Sequence, residues 1–405
     1  MRKARHTTDN SQVIIDQDRC LRAHGIDCSN CLKTCPMNLF GIQNHRIAAL
    51  APETCIACHC CKGSCPAGLE TIDVAPIHRI RRLIPTASIK PIPGLQVQVG
   101  RLTLPTPLVL ASGPIGRCAD GLSRAAVSGF GAVVTKSITS KPRAGNPAIR
   151  VLPYGKDGLV NCEGLPNLGA RAMANELERF RETHPEAIVV PSVSANRREN
   201  FIEMATLFAS SGADALELAL HGCSNVDPNR AEPARRWIED PDAAAFLIES
   251  IRQAVDIPLW VKVNHSVETA IACQKAGADA LIVRRGSAMA LPLDPETGRP
   301  LLSHPRGEGV FTGPHTKPAG LQVVAEMAQK VSIPIIGNGG VCRGQDVIDY
   351  LRAGASAVEL ITVLIRKGMQ VLPDIVSDLE AFIETHGLSN LQEIRGQSVR
   401  YVVGS

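Results

Sequence analysis

Residues 334–340 read Pro-Ile-Ile-Gly-Asn-Gly-Gly, a short apolar run that ends in small and polar residues. Similar runs recur along most of the chain, and amphipathic stretches separate them. This alternation is typical of β-α units around a parallel sheet. We count eight such runs, at residues 108–113, 132–137, 188–194, 215–220, 259–264, 280–284, 334–339 and 357–362.

Eight units over about 300 residues predict a (β/α)8 barrel. Three phrases, at residues 211–215, 276–280 and 353–357, repeat a Gly-Ala pair, and each glycine is expected to end a helix in the left-handed conformation. A doubly wound sheet is the alternative fold, but no G-x-G-x-x-G motif follows the first run. Residues 198–210 form an amphipathic helix whose inward stripe consists of Phe201, Met204, Ala205, Phe208 and Ala209.

Eight cysteines near the start of the chain form two runs that each end in Cys-Pro. The second run has the bacterial ferredoxin spacing C-x2-C-x2-C-x3-C-P, in which three cysteines hold one [4Fe–4S] cluster and the fourth holds the other cluster. The spacing therefore predicts two clusters with crossed ligands. One is held by Cys35, Cys55, Cys58 and Cys61, and the other by Cys20, Cys28, Cys31 and Cys65.

Two zinc knuckles are the alternative for these cysteines, because C-x2-C pairs also form tetrahedral zinc sites. The first run departs from the ferredoxin spacing, since seven residues separate Cys20 from Cys28. The two Cys-Pro endings nevertheless favour crossed iron–sulfur clusters over independent knuckles. A ninth cysteine, Cys60, lies inside the second run, and we interpret it as a buried spare thiol.

The proline-rich segment 85–94 divides the chain, because prolines at 85, 91 and 93 interrupt both helices and central strands. We expect a ferredoxin-like domain at residues 1–84, a linker at 85–94 and the barrel at 95–405. The formal net charge of +4 is too small to indicate nucleic-acid binding. There is no long apolar run and no signal peptide, so the sequence predicts a cytoplasmic protein with no membrane association.

The carboxyl ends of barrel strands carry the functional residues, so the residues that end each run are candidates for a site. Several ends combine small residues with one polar or cationic residue. A glycine pair after the seventh run, predicted to open the next helix, offers backbone N–H groups to a phosphate. The candidates are Ala111, Ser112, Lys136, Ser137, Lys262, Gly339 and Gly340.

Residues 107–369 resemble the dihydroorotate dehydrogenases and the similar flavin domain of dihydropyrimidine dehydrogenases. The cysteine-rich module strengthens the second resemblance. The matching motifs include Ala111-Ser-Gly-Pro114, residues 129–139, Gly145-Asn-Pro147, Asn161-Cys-Glu-Gly-Leu-Pro-Asn167, Thr312-Gly-Pro314 with Lys317-Pro318, and residues 334–341.

The resemblance implies a bound FMN and assigns residues to it. It places Lys136 and Lys262 at the flavin ring and ribityl chain, and Asn161 at the substrate. Ala111 and Ser112 would form the wall beside the ring, with Ser137 at the neighbouring strand end. Gly313, Gly339, Gly340 and Thr362 would contact the phosphate.

The sequence departs from the family pattern in the catalytic loop, which here spans residues 219–225. Cys223 is the expected proton donor or acceptor, and His221 either assists Cys223 or replaces it. Two asparagines that hold a pyrimidine in the family are replaced, one by Ala219 and one by Arg285. An ordinary uracil or thymine substrate is therefore not expected. Arg284 or Arg285 would bind an anionic substrate, unless these arginines face solvent or an acidic cluster.

These observations predict an FMN- and iron–sulfur-dependent oxidoreductase. Hydride would move between flavin N5 and a CH–CH or C=C pair, and electrons would pass through the two clusters. Because no second dinucleotide fold is present, the expected partner is a ferredoxin or a separate FAD- and NAD(P)H-binding reductase subunit. A homodimer or hetero-oligomer is the default assembly. The alternatives are a non-catalytic electron-transfer subunit and a zinc-bearing interaction protein.

Overall fold

The computed structural model describes residues 4–7, 11–50, 55, 58–76, 92–220, 236–283 and 289–402. The N-terminal part contains a three-stranded antiparallel sheet in the order β1-β2-β5, a β3–β4 hairpin and two one-turn helices. Its elements are β1 (Ala4–Thr7), β2 (Ser11–Ile15), α1 (Asn30–Thr34), β3 (Phe40–Gln43), β4 (Arg46–Ala49), α2 (Cys60–Ser64) and β5 (Ile72–Pro76).

The two short helices α1 and α2 are equivalent parts of the module. Each ends at a cysteine with extended backbone, Cys35 at ψ 112° and Cys65 at ψ 115°. A proline follows each cysteine, and proline disfavours the helical conformation of the residue before it. Between the helices, the hydroxyls of Thr34 and Ser64 hydrogen-bond at 2.9 Å. The Cys-Pro endings therefore stop both helices at the same point and direct both thiols back into the module.

The hairpin of β6 (Val97–Val99) and β7 (Leu102–Leu104) packs at the amino ends of the barrel strands. Val97, Val99 and Leu104 alternate with exposed residues and are buried against Trp260 and neighbouring strand residues. This period of two is that of a strand with one apolar face. The hairpin thus closes the end of the barrel opposite the strand carboxyl ends.

The central sheet is a ring of parallel strands in the order β12-β9-β8-β20-β19-β16-β15-β14-β13. Its two terminal segments are one strand divided at Pro191, whose ring nitrogen cannot donate a ladder hydrogen bond. One segment pairs with β9 and the other with β14, which closes the ring. The strands are β8 (Leu108–Leu110), β9 (Ala132–Val134), β12 (Val189–Val190), β13 (Ser192–Val193), β14 (Leu216–Ala219), β15 (Leu259–Val263), β16 (Ala280–Val283), β19 (Ile335–Asn338) and β20 (Ala357–Leu360).

Each of the eight runs identified in the sequence contains a strand of this ring, so the barrel is confirmed and the doubly wound sheet is wrong. The predicted helix at residues 198–210 is also confirmed, and four residues of its stripe are fully buried. The described helices are α3 (Ala119–Val127), α4 (Ala170–Thr183), α5 (Arg198–Ser210), α6 (Arg236–Glu239), α7 (Pro241–Ala254), α8 (Val267–Lys275), α9 (Lys317–Met327), α10 (Gly344–Arg352), α11 (Thr362–Lys367), α12 (Val371–His386) and α13 (Val399–Val402).

A second sheet covers the carboxyl ends of the barrel strands. It is antiparallel, in the order β10-β11-β18-β17, and the sequence analysis did not predict it. The strands of this covering sheet are β10 (Val151–Tyr154), β11 (Gly158–Asn161), β17 (Met289–Ala290) and β18 (Gly309–Thr312).

Across the described residues, none of the helices has both the length and the apolar character needed to cross a membrane.

Candidate active site at the carboxyl ends of the barrel strands

A cavity of about 300 Å³ lies between the barrel strands and the covering sheet. Its wall contains residues from six barrel strand ends and from β10, β11 and β18. Every residue that the sequence analysis assigned to FMN lines this one cavity, as does the predicted substrate residue Asn161. The nine are Ala111, Ser112, Lys136, Ser137, Lys262, Gly313, Gly339, Gly340 and Thr362.

Glycines form one end of the cavity. Gly313, Gly339 and Gly340 all have positive φ, at 123°, 125° and 73°. A Cβ on Gly340 would lie 2.7 Å from the backbone nitrogen of Lys317, which no side chain tolerates. The backbone can therefore approach a ligand closely here, as phosphate binding requires.

The expectation that the glycine pair opens the next helix is wrong. Helix α10 begins at Gly344, four residues beyond Gly340. The carboxylate of Asp346 already accepts hydrogen bonds from the N–H groups of Cys342 and Arg343, at 2.8 and 3.1 Å. The helix that starts at the cavity is instead α11, whose first residue Thr362 lines it.

Lys136 forms an ion pair with Glu163 inside the cavity wall. Both side chains are largely buried, with 10 % and 14 % exposed. Burial alone would raise the pKa of Glu163, but Lys136, Arg150 and Arg117 together hold it below its ordinary value. Glu163 lies in the matched motif 161–167, yet the sequence analysis gave it no role.

A second charged group forms the cavity floor. Lys262 Nζ lies 2.9 Å from Glu217 Oε2 and 2.9 Å from Glu359 Oε2, and both glutamates are fully buried. The Ser192 hydroxyl donates to Glu217 at 2.6 Å, and the Asn338 amide donates to Glu359. The lysine thus has the partners that a buried cation needs.

The two glutamates differ in protonation. Burial raises the pKa of Glu359 to about 8, and the neighbouring Glu217 adds to the rise despite the opposing effect of Lys262. Burial would also raise the pKa of Glu217, but Lys262, Glu359 and Ser192 hold it below its ordinary value. At neutral pH the group therefore contains an ionised Glu217, a charged Lys262 and a protonated Glu359.

The sequence analysis missed both glutamates, although it held a signal for them. Each is the one charged residue in an apolar run, Ala-Leu-Glu-Leu-Ala at 215–219 and Ala-Val-Glu-Leu at 357–360. Alternate residues of a barrel strand point inward, so a charge in mid-strand is either buried in the barrel or placed in a site.

Four predicted site residues lie outside the described residues. His221 and Cys223 fall in segment 221–235, and Arg284 and Arg285 fall in segment 284–288. Their roles in proton transfer and substrate binding stay predictions.

The cysteines of the N-terminal module interact in two groups of four. Burial, then Cys28, Cys65 and Cys20, raise the pKa of Cys31 to about 12. In the other group, burial, Cys58 and Cys55 raise the pKa of Cys35 to about 12. Unligated, Cys31 and Cys35 would thus stay protonated. Burial, Cys58, Cys35 and Cys55 raise the pKa of Cys61, and Cys31 of the other group adds to the rise, so the crossed-ligand assignment stays a prediction.

The metal content of the module stays a prediction, for the two iron–sulfur clusters and for the zinc alternative alike. In the part of the chain that the structure describes, no three His, Cys, Asp or Glu side chains are placed to hold one metal ion. The first set of thiols instead surrounds a small apolar cavity, together with Ile15, Leu21, Ile47, Pro66 and Ile72.

The cysteine module contacts the barrel directly beside the large cavity. Cys60 lines that cavity and packs with Val151, Leu159 and Ile365, with Cys58 at the edge of this cluster. The backbone N–H of Arg150 donates to the carbonyl of Gly63 at 2.9 Å. The predicted spare thiol is therefore buried, as expected, but it lies in the wall that separates the second cysteine group from the cavity.

The carboxyl ends of the strands form the active site in (β/α)8 enzymes, and this cavity lies there. Its position is that of the active site in enzymes of this architectural class. Residues 94–383 match the family described as dihydroorotate dehydrogenase. The chain belongs to this family, and it is an oxidoreductase of the kind that acts on CH–CH donors.

Curated relatives cover the same part of the chain. The dihydroorotate dehydrogenase B (NAD(+)) catalytic subunit of Pyrococcus abyssi is 33% identical over 312 residues, which span 76% of this chain and 99% of the relative. The corresponding subunit of Caldicellulosiruptor saccharolyticus is 34% identical over 308 residues, 75% of this chain and 98% of the relative. The cysteine-rich residues 1–93 lie outside the family match.

Among solved structures, the dihydroorotate dehydrogenase of Eimeria tenella in complex with ferulenol has a similar fold. The TM-score is 0.65 at 24% sequence identity, with 78% of this chain and 91% of that chain covered. This similarity supports the barrel.

Proposed function

We propose that the chain is an FMN-dependent oxidoreductase that exchanges electrons with two [4Fe–4S] clusters in its own N-terminal module. The observation that carries this proposal is Cys60, which lies between two cysteines of one thiol group and also lines the barrel cavity. The proposal keeps the domain division expected from the sequence, with the module at 1–84, the linker at 85–94 and the barrel at 95–405.

The cavity fits FMN, the cofactor that this family uses. The close approach at Gly313, Gly339 and Gly340 suits a phosphate, and Lys136 and Lys262 lie at the other strand ends that line the cavity. When bound, FMN supplies hydride exchange with substrate and one-electron exchange with metal clusters. The residues then have separate tasks, since the glycines hold the phosphate while the lysines and their glutamates set the charge around the ring.

The module fits two four-iron clusters. Each thiol group holds four cysteines in largely buried, apolar surroundings, as such clusters require. Binding to iron replaces the proton of each thiol, which removes the cost that burial imposes on a free thiolate. The group of Cys35, Cys55, Cys58 and Cys61 would then lie next to the barrel cavity, so its cluster would be the direct electron partner of FMN.

The remaining assignments come from the sequence. Cys223, with His221, would exchange a proton with one substrate carbon while flavin N5 exchanges hydride with the neighbouring carbon. Asn161 would bind the substrate, and Arg284 and Arg285 favour an anionic unsaturated acid, amide or thioester. A ferredoxin or a reductase subunit with FAD and NAD(P)H would complete the electron path. The relatives' names, which describe NAD(+)-linked catalytic subunits, support such a partner.

An anaerobic absorbance spectrum with quantified iron, sulfide and flavin tests the cofactors. We expect about eight irons and one FMN per chain. A measured content of about four irons per chain would mean that only one of the two thiol groups holds a cluster. Zinc without flavin would overturn it.

A second experiment separates an enzyme from a non-catalytic electron-transfer subunit. Under anaerobic conditions, a substrate should bleach the flavin of the purified protein in the absence of any partner. Cys223→Ser should slow this bleaching, and Arg285→Asn should weaken the dependence on an anionic group. If neither variant changes bleaching, the assignment of these two loops is wrong.

A further inference from the structure

The buried charges of the cavity floor are linked by a continuous set of hydrogen bonds. The hydroxyl of Ser112, on the cavity wall, lies 2.8 Å from that of Ser137, which lies 3.2 Å from Ser192. Ser192 donates to Glu217 at 2.6 Å, and Lys262 then joins Glu217 to Glu359. The single proton of the Ser192 hydroxyl can be donated to Ser137 or to Glu217, so the serines extend the hydrogen-bonded group from Glu217 to the cavity wall.

We propose that Glu217, Lys262 and Glu359 form a proton-storing group whose charge sets the reduction potential of the bound flavin. The inference rests on the proposed FMN binding and deepens it. All three side chains line the cavity. With one shared carboxyl proton the group is neutral, and without that proton its charge is −1.

The geometry identifies Glu359 as the residue that holds the proton. Glu359 Oε1 and Glu217 Oε2 are both buried without a hydrogen-bond partner among the described residues. Lys262 Nζ lies 2.9 Å from Glu217 Oε2, whereas on Glu359 it approaches Oε2 and leaves Oε1 as the oxygen that a carboxyl proton would let donate to Glu217. The same conclusion follows from the raised pKa of Glu359, about 8, and the lowered pKa of Glu217.

The other charges around Glu359 are already paired. The flanking strand β19 contributes only the neutral Asn338 amide, and the apolar strand β8 contributes no titratable group. Helix α10 packs behind β20, and its Asp346 and Asp349 are bound to Lys317 at 2.6 Å each. Lys136 and Glu163 neutralise one another in the cavity wall. Glu359 is therefore the group in this floor whose charge changes near neutral pH.

Proton and electron counts then depend on pH. A flavin that accepts two electrons and one proton gains one negative charge. Below about pH 8, Glu359 is already protonated before the flavin is reduced, so the protein takes up one proton for each electron pair that reduces the flavin. Above about pH 8, Glu359 takes a second proton from water as the flavin becomes negative, so two protons enter with each pair.

The test is the flavin midpoint potential of the full-length holoprotein, measured by anaerobic spectroelectrochemistry on both sides of about pH 8. In the wild type, the slope of the midpoint potential against pH should be steeper above about pH 8 than below it, and should approach twice its low-pH value. Glu359→Gln, which mimics the protonated side chain, should keep the single-proton slope throughout. Its potential should equal that of the wild type at low pH and lie above it at high pH.

Glu163→Gln is the matched control, since it removes another buried carboxylate of the same cavity. Glu163 is already ionised across this range because its pKa is lowered. Its removal should shift the potential equally at every pH and leave the change of slope intact.

A second measurement does not depend on any variant. The infrared difference spectrum between oxidised and reduced wild type at high pH should show a carboxylic-acid band that shifts in heavy water. A wild-type protein with bound FMN, a constant slope and no such band overturns this inference alone. A wild-type protein without FMN overturns the proposed function.

Discussion

Lys262 illustrates what a buried charge requires of its surroundings. Its ammonium group is shared by two fully buried carboxylates, and their attraction raises the pKa of Lys262 against the opposing effect of burial. Removing one member of such a group leaves an uncompensated charge in a medium of low dielectric constant. The floor of the cavity is therefore sensitive to a change of one residue.

We expect Lys262→Met to lower the free energy of unfolding by about 3–5 kcal/mol, because the two buried glutamates lose the cation that offsets the cost of their burial. Lys367→Met is the control. Lys367 pairs with Asp157 but is 40 % exposed, and an exposed pair contributes about 0–1 kcal/mol. Anaerobic urea denaturation followed by circular dichroism compares the two. Equal losses would show that Lys262 is not electrostatically linked to the glutamates.

A second prediction concerns the close backbone contact at Gly340. Gly340→Ala should weaken FMN retention by at least about tenfold, because the new Cβ would collide with Lys317 and deform the glycine-lined end. Gly387→Ala is matched in backbone strain, with φ 62°, but its Cβ would meet no atom within 4 Å. Released flavin, quantified per chain after purification, is the measurement. Loss of flavin from both variants would attribute the effect to strain alone.

The residues at the cavity could be predicted from sequence wherever position in the barrel decides function. Strand ends converge in any (β/α)8 barrel, so Lys136, Lys262 and Gly340 could be located without coordinates. Glu217 and Glu359 stand out in the sequence as charges within apolar runs, but their pairing through Lys262 could not be predicted, because it joins three strands that are far apart in sequence. These charges come together only in the closed barrel, so the contacts between them have to be read from the three-dimensional structure.

At the scale of elements, the repeated Gly-Ala phrases do more than end helices. The three glycines have positive φ, as the sequence predicted. The aspartate of the second phrase, Asp279, also accepts the N–H of Leu259 at 2.8 Å and pairs with Arg252. Asp214 does the same for Val189 and Arg181. Each of these two phrases thus ties a helix, its turn and the neighbouring strand together, whereas the third phrase has Ser356 in place of the aspartate.

We expect Asp279→Ala to lower the free energy of unfolding by about 2–4 kcal/mol, since the Leu259 N–H and the Arg252 guanidinium both lose their partner. Asp256→Ala is the control, because Asp256 is 98 % exposed and contacts the same Arg101 as Asp279. Its effect should lie within experimental error. Hydrogen exchange at the Leu259 amide provides a local readout, and unchanged protection in Asp279→Ala would contradict the prediction.

The elements that sequence analysis missed are those without a strong period. Four strands of two to four residues form the covering sheet, and each lies in an insertion between barrel units. Two-residue segments such as Met289–Ala290 carry no alternation that could be recognised. The barrel strands and α5 could be predicted because burial on one or both faces imposes a pattern on their sequences.

The whole molecule joins two parts that the sequence had separated at its prolines. Beyond the Arg150–Gly63 contact, the Met369 N–H donates to the Pro36 carbonyl at 3.1 Å and the Arg366 guanidinium donates to the Lys33 carbonyl at 2.9 Å. Hydrogen bonds from two different barrel segments fix the module beside the cavity. Long-range contacts of this kind have no local sequence signal, so the sequence predicted the module but not its position.

This arrangement makes the two thiol groups unequal, and variants of each can test it. If the module holds the two proposed clusters, Cys31→Ser should remove the one farther from the cavity and reduce iron from about eight to about four atoms per chain. The flavin should still equilibrate rapidly with the remaining cluster. Cys61→Ser should cause the same loss of iron but also slow flavin reoxidation by an external one-electron acceptor, because the cluster beside the cavity is lost.

Cys60→Ser is the control for both variants, since Cys60 is buried and lies between proposed ligands in the sequence yet belongs to neither group. It should retain about eight irons per chain. Iron analysis, electron paramagnetic resonance of the reduced clusters and stopped-flow reoxidation distinguish the three variants. If Cys31→Ser slowed reoxidation as much as Cys61→Ser, electrons would have to pass through both clusters in series on their way to the acceptor. If neither variant slowed it, the flavin would exchange electrons with the acceptor directly, and the contact at Cys60 would serve packing alone.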